Sequence, residues 1–472
     1  MPALSASTPC LIRVHPPPFL RDMSNKTEQA AIAIHACEPI RSHSMDRATW
    51  WSTLRNAVLL WGILFTFYQV AAPNYRWLPD KGDTPYGADF LQEWVGARMV
   101  LEGESKMLYN TELFQSRQHD ERLLEFTWGA NAYFPPVYPP MHYAAFVPFA
   151  LIPYRWAVLL WLGILIAFAI LAAHQIQSIA LRYGRNTFDS PARYRTLQAS
   201  IWVGVFLFPA VLSSLTMGQK SVIWLVILTS TWQLLLRKRD LAAGFVFGLL
   251  SLKPTLFFLL PLVLLSHGKI RFFSGASIAV AATWGAGLCV MPVESWFGFL
   301  EAAKGSSNYP GMNGYRLDWS CNLLSLAYAI PTPVQSWFKQ SVCVILAIYC
   351  LMGCFERRNT DVLSPDKLLL VLCATFLLSP HAYSYDMCLF LLPVFSLCAL
   401  HPRMGFAYYT LLTMTVAVSA VVLNTLNLPI LPIVLIGIVC EMRLRTRCPQ
   451  TAKCLSTDSE AKLLSVATAR PS

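Results

Sequence analysis

The sequence predicts an all-α polytopic membrane protein with about 10–12 transmembrane helices, and three observations carry that expectation. Hydrophobic residues make up 55% of the 472 and charged residues only 13%, where a soluble chain carries about a quarter. The apolar residues gather into blocks of about 14–26, close to the ~20 that a helix needs to cross a hydrocarbon core. Lys and Arg, the source of a formal charge of +11, fall at the ends of those blocks. A nucleic-acid binder collects its cations on one face. Cations that punctuate apolar blocks set topology instead, so no nucleic-acid partner is expected.

Taken in order, residues 1–50 are polar and contain Pro without apolar periodicity, which predicts a disordered cytoplasmic tail. Met45 opens "MDRATWWSTLRNAVLLWG", an ordinary start for such a protein, so part of this tail reads as an over-long gene start. The transmembrane domain is expected over 54–441, with spans near 54–72, 156–180, 199–217, 219–236, 272–292, 336–355, 366–380, 386–400, 404–423 and 426–441. Residues 442–472 form a C-terminal tail. Two further apolar segments are ambiguous. Segment 138–153 holds Pro139, Pro140, Pro148 and Pro153, and 241–266 is interrupted at Lys253-Pro254; proline removes a helical hydrogen bond and breaks a straight span.

The basic loops decide sidedness, because short Lys/Arg-rich loops stay cytoplasmic. These are 182–195, 237–239, 269–271, 357–367 and 443–447. All fall inside if 138–153 does not cross and 241–266 enters and returns as two half-helices, a geometry tolerated where broken backbone lines a cavity. Ten full spans plus a re-entrant pair follow, with both termini cytoplasmic; a count of 11–13 also satisfies the pattern. The loops 73–137 and 293–333, the turn 216–220 and "SPHAYSYD" (379–386) then all lie on the extracytoplasmic face.

Thirteen cysteines suggest a disulfide framework until they are placed. Eight lie in or beside apolar blocks, where a thiol behaves as a small hydrophobe. No CxxC or Cys/His spacing of a metal site occurs, and no metal is expected.

The polar residues on the outer face carry the chemistry. Asp89, in "TPYGADFLQEW" (84–94), sits against Phe90 and Trp94. Partial desolvation there would raise its pKa and make it a general base; the same position also suits an N-cap for a helix over 90–102. Glu93 and Arg98 read as solvated charges on that helix. His381, Tyr383, Tyr385 and Asp386 lie within six residues at the outer end of one span, where they could bind hydroxyls and phosphate oxygens or form an interfacial belt and turn. Lys253, at the Pro254 break, needs either an anionic ligand such as a phosphate or a carboxylate partner, Asp89 or Asp386. Gln219, beside Lys220, is a substrate contact or simply part of a turn.

These residues lie in "GADFLQEWVGARMVLEGESKMLYN" (87–110), "YPPMHYAAFVPFALIPYRWAVLLW" (138–161), "GQKSVIWLVILTSTWQLLLRKRDLAAGFVFGLLSLKP" (218–254) and "LLSPHAYSYDMCLFLLP" (377–393). In that order the chain resembles the bacterial polyprenyl-phosphate-dependent mannosyltransferases of glycosyltransferase family 87, in the GT-C class. The resemblance implies a GT-C-like fold in the inner (plasma) membrane and an active site on the extracytoplasmic face. It also implies a hexose, mannose by the family's pattern, moved with inversion from a polyprenyl-phosphate donor to a lipid or glycan acceptor. Asp89 of "GADF" matches the family's base. Lys253 and His381 would contact the donor phosphate, and Tyr383, Tyr385, Asp386 and Gln219 the substrates. Membrane lipids, donor and acceptor are the expected partners, and no cofactor is required. Asp89 is followed by Phe90, not by the second acid of some GT-C relatives, which weighs against metal dependence.

A transporter or flippase of lipid-linked sugars is the competing class. Transporters repeat their broken helices in both halves, whereas this sequence has one Lys-Pro break. A GT-C-like enzyme transferring a different lipid-linked group is a further alternative.

Overall fold

In a computed structural model the described residues are 87–124, 128, 133–186, 191–305, 319–330, 332–356 and 362–447, with Leu60 and Leu64. Most of the first expected span, the part of the first loop before Gly87, and the tails up to residue 50 and beyond 447 lie outside them. Among the described residues the chain is helical and has no strand. One isolated antiparallel bridge joins Ser320 to Tyr383.

The helix expected over 90–102 is α1, Asp89–Leu101. It is buried nearly all round: Phe90, Leu91, Trp94, Val95, Ala97 and Met99 are buried, and so are the polar Gln92 and Glu93. A helix buried all round must be enclosed by protein, and the segment 138–153 does the enclosing. That segment is two short helices, α2 (Pro140–Ala145) and α3 (Val147–Ala150), so it is no straight span. The Trp94 indole donates to the carbonyls of Phe149 and Ile152 at 3.0 and 3.2 Å.

A 30-residue helix follows, α4 (Tyr154–Tyr183). After it come α5 (Pro191–Leu207) and α6 (Pro209–Thr216), bent 44° apart at Phe208-Pro209, then α7 (Ser221–Leu236). The expected interruption of 241–266 is present: α8 (Asp240–Gly248) passes through a 3₁₀ turn to Lys253, whose backbone leaves the helical region at φ −123°, ψ 78°. The chain resumes at Pro254 and continues as α9 (Leu259–Ser266) and α10 (Ile270–Val290). Helices α8 and α10 touch backbone to backbone. A Cβ on Gly244 would stand 1.9 Å from the Phe272 carbonyl oxygen, the close approach that small residues permit between membrane helices.

Further along the chain lie α11 (Val344–Phe355), α12 (Pro365–Leu378), α13 (Leu391–Leu400), α14 (Pro402–Leu426) and α15 (Ile430–Arg447). Helices α12 and α13 are buried along nearly their whole length and form the centre. Around them, α4 contacts α7 and α13, while α12 contacts α11 and α15. The outer helices expose apolar side chains, as Trp156, Leu159, Ile166 and Ile170 do on α4.

Tyr154–Tyr183, Ile270–Val290 and Val334–Phe355 are long and apolar enough to cross a membrane, and the bent α5–α6 pair makes a fourth if it is one span. Each expected span from 156 onward coincides with helix. However, α7 has 16 residues and α12 has 14, short of the ~20 that a crossing takes. Apolarity alone does not separate the two cases, because a helix enclosed by other helices is as apolar as one facing lipid.

Candidate functional site

The site is assembled on a tight turn, 217–220, between α6 and α7. Gly218 turns the chain in the left-handed region at φ +67°, and a Cβ there would meet the Gly87 carbonyl oxygen at 2.7 Å. Only glycine combines that conformation with that approach. The turn is tied to the start of α1 by the Asp89 N–H, which donates to the Met217 carbonyl at 3.1 Å. It is tied to α4 by the Trp161 indole, which donates to the Gly218 carbonyl at 2.7 Å.

Three consecutive residues, the last two of this turn and the first of α7, then reach three acids. The Gln219 side-chain amide donates to Asp89 Oδ2. The Lys220 ammonium forms an ion pair with Glu93. The Ser221 hydroxyl donates to Asp386 Oδ1 at 2.7 Å. Asp89 and Glu93 lie one helical turn apart on α1, so neighbouring residues of the turn can serve both.

Asp386 enters from the segment after α12, a 3₁₀ stretch over Ser384–Phe390 that packs against α6 and α7. Lys253 Nζ lies 2.6 Å from each of its carboxylate oxygens, and the Tyr383 N–H donates to Oδ2 at 3.3 Å. Asp386 is fully buried and Lys253 nearly so. Of the two satisfactions open to Lys253 in the sequence, a carboxylate partner is therefore present, and it is Asp386. An ammonium has three N–H donors, and the two contacts to Asp386 leave one for a ligand.

Asp89 itself is only partly buried, between the buried Ala88 and Phe90. It is the first residue of α1 rather than its cap, and no side chain caps that helix. Desolvation pushes its pKa up to about 6, against the opposing effects of the Gln219 hydrogen bond and of Lys220 and Lys253. A carboxylate so tuned accepts a proton near neutral pH.

His381 and Tyr383 are also partly exposed, and the Tyr385 ring lies 5.4 Å from Lys253 Nζ. Burial and the nearby Lys253 charge lower the His381 pKa to about 4. At neutral pH it is therefore an uncharged hydrogen-bonding ring. The seven candidate residues, Asp89, Gln219, Lys253, His381, Tyr383, Tyr385 and Asp386, thus converge from four stretches of chain.

Glu93 corrects the sequence reading. It is 1% exposed, not a solvated charge, and besides Lys220 it has His142 Nε2 at 3.4 Å. Burial lowers the His142 pKa to about 3, so that ring is neutral and Lys220 is the residue that pairs with Glu93. Lys220 also sits 3.8 Å over the Tyr138 ring. Arg98, by contrast, is half-exposed and pairs with Glu102 at 2.7 Å. Sequence reasoning missed Glu93, Lys220, Tyr138 and His142. The available signal was partial: Phe90, Leu91, Trp94 and Val95 flank Glu93 and favour burying that turn of α1, although Gln92 and Arg98 interrupt the apolar run. Among the described residues, no group of three or more His, Cys, Asp or Glu side chains is arranged to hold a metal.

The model of glycosyltransferase family 87 matches residues 137–380, just over half of the chain. The match takes in the 217–220 turn and Lys253; Asp89 and the 381–386 cluster lie outside it. No curated protein and no solved structure matches the chain.

Proposed function

The chain belongs to glycosyltransferase family 87, and from that premise we propose that it transfers a hexose, mannose, from a polyprenyl-phosphate donor to a hydroxyl of a lipid or glycan acceptor. Its apolar helices and its family make it a membrane glycosyltransferase. The finer reading is a GT-C-like fold in the inner membrane with the site on the extracytoplasmic face. The observation that carries this reading is Asp89: a partly exposed carboxylate, raised toward neutrality and held by Gln219, with the Lys253–Asp386 pair close enough to act on it electrostatically.

In this mechanism the third N–H of Lys253 meets a donor phosphate oxygen, with the neutral His381 as a second contact. Asp89 takes the proton of the acceptor hydroxyl. That oxygen attacks the anomeric carbon from the face opposite the phosphate, and the carbon–oxygen bond to phosphate breaks in the same displacement. Polyprenyl phosphate leaves with the electron pair, its added charge facing Lys253, and the configuration inverts. Positioning and electrostatics supply most of the acceleration. Tyr383 and Tyr385 border this space and would contact the sugar. No metal is required in the scheme.

The test is transfer from a synthetic polyprenyl-phosphate mannose in detergent, with and without chelator. Asp89→Asn should lower the rate by about 10²–10⁴, the usual worth of a general base, while the protein remains folded. Turnover within a few fold of the parent would end the reading. Sidedness is tested separately: an impermeant thiol reagent should label single cysteines placed at 381–385 on intact cells and spare those at 185–193. The reverse pattern would overturn the extracytoplasmic site.

A further inference from the structure

We propose that Gln219 is the positioning residue of the base, fixing the Asp89 carboxylate through Oδ2 so that Oδ1 is the oxygen that takes the acceptor's proton. The sequence suggested a substrate contact for Gln219, but its amide N–H is directed at Asp89. An ionised carboxylate only accepts hydrogen bonds, so the amide must present its NH₂ and not its oxygen.

What makes Gln219 suitable is the rigidity of its backbone. Its N–H donates to the Ser214 carbonyl at 2.8 Å, and its own carbonyl accepts from the Ser214 hydroxyl at 2.8 Å. The peptide before it is held by Trp161, and Asp89 is bonded to Met217 through its backbone N–H. Base and amide are therefore locked together at both main chain and side chain, although 130 residues separate them in sequence. Gln219 is 5% exposed, a buried partner for the partly exposed Asp89. A side chain fixed by its own packing and hydrogen bonds is what holds a reacting group in productive geometry. The bond also favours the ionised form of Asp89, opposing its desolvation.

This rests on Asp89 being the base, and the experiment separates the two ideas. Full-length Gln219→Met and the isosteric Gln219→Glu are compared with the parent and with Asp89→Asn, measuring kcat and donor KM across pH. Loss of positioning should reduce kcat at neutral pH by about ten- to a hundredfold, with donor KM within about twofold of the parent. Loss of a hydrogen bond to the charged form should move the acid limb of kcat/KM upward by about one to two pH units in Gln219→Met. In Gln219→Glu the limb should move further, because two adjacent carboxyls share a proton. If Gln219→Met does not fold, Gln219→Glu, which keeps the shape, carries the test alone. An unmoved acid limb with a raised donor KM would make Gln219 a substrate contact and overturn the proposal, even with Asp89→Asn inactive. A fully active Asp89→Asn enzyme would instead remove the base itself.

Discussion

Lys253 and Asp386 form a buried two-point ion pair, with Nζ 2.6 Å from both carboxylate oxygens. The lysine that would meet the donor phosphate is thus already partnered, and its two roles are separable. Replacing one member strands the other and costs about 3–5 kcal/mol, whereas replacing both by neutral groups often costs little. Lys253→Gln and Asp386→Asn should each lower the melting temperature, and the double variant should recover most of the loss. Donor KM should stay raised in the double variant, since the cation is gone. A double variant with the parent's donor KM would remove Lys253 from phosphate binding.

The pH dependence follows from Asp89. As a base it works ionised, so kcat/KM should fall as pH drops through about 6, not through the usual ~4 of an Asp. The sign for stability is opposite. A carboxyl whose folded pKa is raised favours its neutral form, so this group's contribution is fully present below about 4 and is lost as pH rises through 6. Asp89→Asn should abolish that loss. An acid limb at 4 in the parent would contradict the desolvated environment.

Glu93 should behave as a structural residue of the site. Glu93→Gln removes the buried partner of Lys220, and about 1–3 kcal/mol of stability should be lost. Arg98→Gln removes a half-exposed pair and should cost under about 1 kcal/mol. Thermal unfolding of the two variants in one detergent distinguishes them. Equal melting temperatures would return Glu93 to the surface.

Gly218→Ala combines a left-handed backbone with a Cβ 2.7 Å from the Gly87 carbonyl. The turn must move away from α1, carrying Gln219 off Asp89, and transfer should fall at least tenfold. Gly163→Ala, in α4 with nothing within 4 Å of the added Cβ, is the control and should leave activity unchanged. Transfer rates of the two purified proteins decide the matter, and an unimpaired Gly218→Ala would show that the turn does not position the base.

Much of this arrangement was legible in the sequence, unevenly and for physical reasons. The helix after Asp89, the interruption at Lys253-Pro254 and the segmented 138–153 all follow from local chemistry: proline, glycine and apolar blocks act on their own neighbourhood. Lys253 had two possible partners on sequence grounds, and only tertiary structure could choose Asp386. Glu93 was misread because a lone acid beside Gln92 looks solvated, whereas the other residues around it bury that face. The contacts of Gln219, Lys220 and Ser221 with three separate acids could not be foreseen, since each pairing is set by how distant helices meet. The number of crossings does not follow from composition, because short enclosed helices such as α12 match lipid-facing ones in it.

The Lys253–Asp386 pair also constrains how the protein is made. Its members lie 133 residues apart. At about 5–20 residues per second of synthesis, the acid emerges roughly 7–27 s after the lysine. A nascent chain must therefore hold an ammonium without its final counter-ion for that interval, in contact with water or lipid headgroups, while α9–α12 are still being made. Closure of the site is then a late event in biogenesis, completed only when the segment after α12 arrives to neutralise a charge laid down long before.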